Sequence, residues 1–384
     1  MPERKSFAIF AITKHGLGHA ARLAAQLPAA DVFVSEKLID RARTEHGLND
    51  ALTLGLPMGP TLERVFGAYD CHVFIISVGA VVRMVAPLLK NKKVDPAVIC
   101  VDDAARFAIC VLSGHVGRGN QFTDRVAEAL AATPVITTAS DVTGTLTVDI
   151  LGRELGWQLD DQDRNVTRGC AAVVNQTPVL VAQETGEPNF WPLDRALPVG
   201  VQYATSLDGV DPNTWEMLLI VSDRLLDERY VGHLERGIIY RPKSLVLGAG
   251  CDRDTPFELF ERGVLSTLQQ HGLSWKCLHS LVSIDKKADE PALLQFAEKY
   301  GLSTQFFSAE TLDAVSGIEN PSAMVQKHVG TRGVSEPAAL LASGASALLI
   351  PKTIYKEPEI ARTMTVAVAR RRFDTRPTQP EVPA

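Results

Sequence analysis

Three glycines separated by polar side chains stand at Ala108 to Asn120, AICVLSGHVGRGN, between an apolar run and the helix-like QFTDRVAEAL. A strand that enters a glycine-bearing loop and then a helix start is how α/β folds aim backbone N–H groups at an anion. Gly114, Gly117 and Gly119 would let the backbone approach a ligand, while Ser113, His115, Arg118 and Asn120 supply side chains. With an ordinary pKa of about 6.5, His115 suits general acid/base work at neutral pH. Two plainer readings stand beside this one: glycines that serve loop geometry alone, and a structural histidine. Further on, PVITTASD presents Thr137, Thr138, Ser140 and Asp141 at a strand end. Open α/β sheets bind ligands at the carboxyl ends of their strands, so this end and Ser113 are expected to share a crevice. Asp141 either orients His115 or caps a helix.

Other loops repeat the pattern. SVGAVVR puts Gly79 at a strand end and Arg83 one turn into a helix, and TKHGLGH puts Lys14 and His15 at another; both face one edge if the sheet is parallel. The second also spells Gly16-x-Gly18-x-x-Ala21 with Glu36 after the next strand, a passable dinucleotide fingerprint that keeps a nicotinamide-dependent enzyme in view. Near the other end, LVLGAGCDRDTP carries Gly248, Gly250, Cys251 and Arg253, with Thr255 and Pro256 read as cap and first residue of a helix. Cys251 is either a nucleophile with a lowered pKa or a buried, inert thiol. Ser283, Asp285 and Lys286 follow another strand, Glu336 opens a helix, and Lys352 lies in ALLIPKTIYK. A solvated charged rim accounts for any one of these; their recurrence at successive strand ends suggests a second ligand-facing edge. No protein-bound metal is expected.

Positioning these groups takes a chain of several cores. At 384 residues with 46% hydrophobic content, two or three domains are expected. From Phe7 to Gly156 short apolar runs alternate with Ala/Leu-rich helical stretches, the pattern of a sheet covered on both faces. The pattern breaks into polar, Pro- and Asn-containing pieces between Trp157 and Arg241 and resumes at Ser244. The fold class is therefore α/β: two doubly wound α/β domains (residues 1–156 and 242–373) joined by a smaller middle domain or connector (157–241), with a polar tail (374–384) expected to be disordered. The net charge of -6, without long blocks of one sign, argues against a general nucleic-acid or membrane-surface binder. The N-terminus lacks the features of a secretory signal, no stretch approaches membrane-span length, and the six cysteines fall singly, so a reducing cytoplasm is expected.

Read together, GAVVRMVAPLLKNKKVDPAV, SGHVGRGN, ATPVITTASDVTG, LGAGCDRDTP, SIDKKADEPAL, SEPAALLASGASALLIPKTIYK and TVAVARR resemble the cobalt-precorrin 5A hydrolase family, CbiG, of anaerobic cobalamin biosynthesis. The chain departs from that pattern twice. The family usually reads Gly-Gly-Ala-Asn at Gly117-Arg118-Gly119-Asn120, and often Arg-Arg-Gly-Thr at Asp252-Arg253-Asp254-Thr255. The resemblance implies hydrolytic opening of the δ-lactone of a cobalt-containing, ring-contracted tetrapyrrole, with a two-carbon unit leaving as acetaldehyde. Such a substrate is flat and rich in carboxylates, which calls for a cleft between domains lined by helix N-termini, Lys and Arg. His115 is then expected as base, the amides of the Gly114 to Asn120 loop as oxyanion donors and Asp141 as orienter, with Ser113 also counted among the catalytic residues. Carboxylates would be held by Lys14, Arg83, Arg253 and Lys352. No cofactor of its own is expected, because cobalt arrives inside the substrate. Transient contact with neighbouring pathway methyltransferases and a homodimer are compatible with this reading. A non-catalytic corrinoid carrier is the principal rival.

Overall fold

The computed structural model describes residues 4–27, 29–91, 93–139, 143–160, 164–374 and 376. The chain divides into two units, Met1–Ile150 and Leu151–Ala384. In the first, β1 (Lys5–Ala11), β2 (Ala30–Ser35), β3 (Leu52–Leu54), β4 (Tyr69–Ile75), β5 (Ala97–Val101), β6 (Phe107–Leu112) and β7 (Thr133–Val135) form one sheet in the order β3-β2-β1-β4-β5-β6-β7. Successive side chains of a strand point to opposite faces. Phe7, Ile9 and Ala11 accordingly join Leu17, Leu23, Phe122 and Val126 in one core, and Ala8 and Phe10 join Leu62, Val81 and Val85 in the other. Because both faces are covered, the strands read as continuous apolar runs.

Strands β1 to β5 are mutually parallel, but β6 pairs antiparallel with β5, and β7 is parallel to β6. Residues 102–106 alone connect β5 to β6. A parallel crossover needs a dozen or so residues, so a connection this short must reverse the chain. The Asp102 carboxylate accepts from Phe107 N at 2.7 Å and its carbonyl from Ala105 N at 2.8 Å, which fixes the turn. The carboxyl ends of β1 to β5 thus lie at one edge of the sheet and those of β6 and β7 at the other.

The second unit holds two sheets. Residues 157–241, read from sequence as a small domain or connector, build a five-stranded sheet in the order β10 (Val201–Ala204), β9 (Val179–Gln183), β11 (Met217–Val221), β12 (Gly237–Arg241), β8 (Gln158–Leu159). It is parallel except for the β8 edge. The other runs β15 (Ser303–Phe307), β14 (Leu278–Ile284), β13 (Leu245–Cys251), β17 (Thr363–Arg370), β16 (Ile350–Lys356). There β13, β14 and β15 are parallel and β17 opposes its neighbours. Helices Phe257–Gln270 and Pro291–Tyr300 pack on one face and Ser335–Ser343 on the other. The α/β class with doubly wound end modules is borne out.

Partly buried ion pairs join the two sheets of this unit. Asp160 accepts from Arg241 Nε at 2.8 Å and from Lys276 Nζ, and Asp223 accepts from Nε and Nη2 of Arg370, each at 2.8 Å, and from Ser244 Oγ at 2.9 Å. Arg376 falls in the segment expected to have nothing to pack against. It is instead buried, and it donates to the carbonyls of Trp191 at 2.7 Å and Pro192 at 3.0 Å. No described helix is long and apolar enough to cross a membrane.

Candidate functional site

The reversal at β6 divides the expected first-domain site between two edges. Lys14, Gly79 and Arg83 follow β1 and β4, whereas Ser113, His115, Gly114 to Asn120, Thr137 and Thr138 follow β6 and β7. The second group does converge in part: Asn120 Nδ2 donates to Thr138 Oγ1 at 2.7 Å, so these two strand ends meet as expected.

Within that loop the glycines are accounted for by packing. A methyl on Gly117 would lie 2.5 Å from Ser113 Cβ, one on Gly119 2.8 Å from the Leu112 carbonyl oxygen, and one on Gly114 2.8 Å from Asn120 Oδ1. The amides of Arg118, Gly119 and Asn120 donate to the carbonyls of His115, Ser113 and Gly114 at 3.0, 2.9 and 2.9 Å. These three N–H groups close the loop on itself and are not aimed at an oxyanion. Ser113 is also committed, its hydroxyl donating to the Asp95 carbonyl at 3.0 Å. His115 Nδ1 lies 3.6 Å from Asp149 Oδ1, longer than a hydrogen bond, with both side chains mostly buried. Asp141, expected to orient His115, lies outside the described residues. Asp149 is the carboxylate found beside that ring.

At the opposite edge Thr13 caps the helix Lys14–Gln26, its Oγ1 accepting from Gly16 N at 2.9 Å while its hydroxyl donates to Asp103 Oδ1 at 2.6 Å. The other oxygen of Asp103 is 3.1 Å from His15 Nδ1, and the Asp103 carbonyl is 3.1 Å from His19 Nε2. The hydroxyl of Thr13 holds the Asp103 carboxyl below its ordinary range, with burial opposing it less strongly and the His15 ring adding a further downward pull. Lys14 and Arg83 are exposed here, Arg83 reaching back to the Gly79 carbonyl at 3.4 Å. A cavity of about 670 Å³ opens between these loops, lined by Ile12, Ile76, Met84 and Ile109 and bounded by Thr13 and Asp103. Gly16 and Gly18 belong to the helix itself. No glycine-lined loop precedes it to cradle a pyrophosphate, so the dinucleotide fingerprint lacks its working part.

In the second unit a cavity of about 850 Å³ gathers Gly250, Cys251, Arg253, Lys286 and Lys352, as expected, and adds Lys287, which sequence reasoning passed over. Arg253 spends its nitrogens on Asp289 Oδ1 at 2.6 Å and the Lys286 carbonyl at 2.8 Å. Lys286 Nζ donates to the Val329 carbonyl at 3.2 Å and Lys352 Nζ to the Asn320 carbonyl at 2.5 Å. Burial pushes the Cys251 thiol up to about 11, which removes it as a nucleophile at neutral pH.

The remaining residues expected here are structural. A methyl on Gly248 would lie 1.9 Å from the Ser335 carbonyl oxygen, so this glycine lets the helix Ser335–Ser343 lie against β13. Ser283 is fully buried and donates to the Ala249 carbonyl at 2.7 Å. Thr255 Oγ1 donates to the Asp252 carbonyl at 2.8 Å and caps nothing; the helix starts at Phe257 behind Pro256. Asp285 accepts from Lys286 N at 2.7 Å. Glu336, 1% exposed, accepts from the amides of Glu319, Asn320 and Lys352 and from Asn320 Nδ2, all at 2.8–2.9 Å. Its carboxylate has no capacity left for a ligand.

Against known proteins, three family models match in chain order: Cobalamin synthesis G N-terminal at residues 60–141, Cobalamin biosynthesis central region at 146–242 and Cobalamin synthesis G C-terminus at 245–369. The cobalt-precorrin-5A hydrolase of Priestia megaterium is 39% identical over 353 residues, 91% of this chain and 92% of that protein. The chain belongs to the cobalamin synthesis G family. Its namesake hydrolase in Salmonella typhimurium is 32% identical over 371 residues, covering 95% and 98% of the two chains. Protein CobE of Sinorhizobium sp is 39% identical over 112 residues, 29% of this chain and 73% of its own length.

Seen as a cobalamin synthesis G protein, the chain's two departures acquire a backbone meaning. Arg118 and Asp254 take φ of +60° and +56°, the left-handed region that glycine enters without cost, at the positions where the family pattern has glycine. Among the residues that sequence reading missed, Asp103 had a local signal, since the short β5–β6 connection had to be a hairpin whose turn would face the end of β1. Asp149 had none: its approach to His115 spans unrelated segments.

Proposed function

We propose that this chain hydrolyses the δ-lactone of cobalt-precorrin-5A and releases acetaldehyde, giving cobalt-precorrin-5B in cobalamin biosynthesis. The supporting observation is identity running through all three regions of the chain, 39% over 91% of its length, to a protein bearing that activity in its name. Water adds to the lactone carbonyl and the ring C–O bond breaks, leaving a carboxylate and an alcohol. The C–C bond joining the alcohol carbon to the macrocycle then breaks. Its electron pair goes to the macrocycle, which takes up a proton, while the alcohol becomes the aldehyde. Cobalt enters as part of the substrate, and the proton transfers fall to side chains of this protein. We place the enzyme in the cytoplasm, where its tetrapyrrole substrate is handled.

Lactone attack needs a base for water, and two histidines each beside a carboxylate are available: His115 with Asp149, and His15 with Asp103. The exposed cations Lys14 and Arg83 at one sheet edge of the first unit are proposed to hold carboxylates. The test is acetaldehyde release from cobalt-precorrin-5A by the purified protein, read by a coupled alcohol dehydrogenase. Stoichiometric binding without release would favour the carrier reading and overturn the enzyme. An NADH fluorescence titration is expected to show no saturable binding.

A further inference from the structure

We infer that the crevice at the carboxyl edge of the first sheet, between β1 and β4, receives the macrocycle, and that His15, held by Asp103, is the base that takes the proton from water. This rests on the hydrolase reading above. Four observations carry it.

The first is topological. From β1 the chain winds outward through β2 and β3, then returns and winds the other way through β4 and β5. Connections leave β1 and β4 toward opposite faces, which opens a crevice outside their carboxyl ends; that is where open α/β sheets take ligands. The cavity of about 670 Å³ occupies this place, with Ile12 and Thr13 after β1 and Ile76 and Ser77 after β4 in its wall.

The second is the chemistry of the wall. It is mostly apolar, with Thr13, Ser77, Asp102 and Asp103 as its polar members, and it exposes Leu56 and Val78 to solvent. Apolar side chains left uncovered around a concavity mark a binding surface. The exposed ammonium of Lys14 and guanidinium of Arg83 stand at the same edge. An apolar floor with two exposed cations at the same sheet edge suits a flat ring carrying carboxylates at its periphery.

The third is the pair itself. Thr13 and the turn at residues 102–106 hold Asp103 from two sides, and His15 Nδ1 meets its free oxygen at 3.1 Å. A carboxylate at Nδ1 fixes the tautomer in which Nε2 is the unprotonated acceptor. His15 is itself 81% exposed and so open to a substrate.

The fourth is the contrast with the other edge. His115 is 18% exposed, sits 3.6 Å from its carboxylate, and neighbours a cavity of about 330 Å³ beside Arg118. The two edges are separated by the length of β1, roughly 20 Å at 3.3 Å per residue. One lactone carbonyl cannot meet both histidines.

The test is steady-state acetaldehyde release from cobalt-precorrin-5A by the full chain and by His15→Ala, His15→Gln and Asp103→Asn. Because His15 is exposed, its replacement is not expected to disturb folding, which circular dichroism and thermal melting check. We expect kcat of both His15 variants to fall by about 10²–10⁴-fold with KM changed less than about threefold. Added imidazole should restore part of the His15→Ala rate, a rescue that a merely structural histidine would not show. Asp103→Asn, a positioning change, should lower kcat while leaving KM near the parent value. A folded His15→Ala that releases acetaldehyde at the parent rate overturns the inference. Absence of release by the parent chain instead defeats the hydrolase reading on which it rests.

Discussion

Replacing Glu336 by glutamine keeps the size of the side chain and removes its charge and one of its two acceptor atoms. In the native chain Oε1 accepts from Asn320 Nδ2 at 2.9 Å and Lys352 N at 2.8 Å, and Oε2 from Glu319 N and Asn320 N, each at 2.9 Å. The glutamine amide can serve only one of these pairs, so its NH₂ must face two donors that have lost their acceptor. A hydrogen bond to a charged group contributes about 1.5–3 kcal/mol, and burial prevents water from replacing it. Two such losses amount to about 3–6 kcal/mol, which for a unit of this size is a fall in Tm of roughly 6–24 °C. The measurement is differential scanning calorimetry of the full chain at pH 7.5. Acidity provides a second reading. Burial tends to raise the Glu336 pKa, but the hydrogen bonds outweigh it and the net shift is downward. The folded value therefore lies below the unfolded one. The stabilisation is complete above the ordinary glutamate value and disappears as pH falls through the lowered one. The gap in Tm between parent and variant should thus be widest at neutral pH and close on acidification. A Glu336→Gln protein that melts within about 2 °C of the parent at pH 7.5 would show that these four contacts do not tie residues 319–320 and Lys352 to the helix.

Three further outcomes follow from the geometry. With its thiol pushed up to about 11 by burial, Cys251 should alkylate slowly with iodoacetamide at pH 7.5, and its rate should rise about tenfold per pH unit to pH 9; peptide mapping that shows a plateau below pH 9 refutes the assignment. Arg118→Gly, at a φ of +60°, should raise stability by up to about 1 kcal/mol in urea melts, since relief of left-handed strain is offset by greater freedom in the unfolded chain; a loss above about 1 kcal/mol would mean that the Arg118 side chain holds the loop. Gly248→Ala forces a methyl to within 1.9 Å of the Ser335 carbonyl and should cost at least about 3 kcal/mol, read as a drop in the urea midpoint; a neutral result would mean that β13 and the helix are not in contact.

Much of the framework was legible from local pattern. FAIFA, VFI and AVICV are unbroken apolar runs, and each lies in a strand buried on both faces. Lys286 and Lys352 of the second unit's cavity were found because SIDKK runs off the end of one strand and IPKTIYK is another. The glycines were legible as glycines but not in their cause. Gly117 and Gly248 sit where glycine-rich ligand loops would sit, yet each is required by an atom of the protein, Ser113 Cβ in one case and the Ser335 carbonyl in the other. A sequence shows that a residue lacks a side chain and leaves unstated what occupies the space. The middle region was hardest to read, because its parallel strands are short and separated by polar turns, so the alternation that marks the end modules is diluted.

The reversal at β6 decides most of what went astray in the first unit. Glycines and a histidine after a strand point to a ligand edge only if that strand runs with its neighbours. Five residues between β5 and β6 are too few for a parallel return, and that gap is visible in the sequence itself. Once the direction is turned, the loop after β6 leaves the edge that carries Lys14 and Arg83, and the turn before β6 arrives there in its place. That turn brings Asp103 to Thr13 and His15. The same short connection therefore removes one histidine from the crevice and supplies the other with its carboxylate. Placement of the acid/base pair in this unit is a consequence of strand direction more than of any motif.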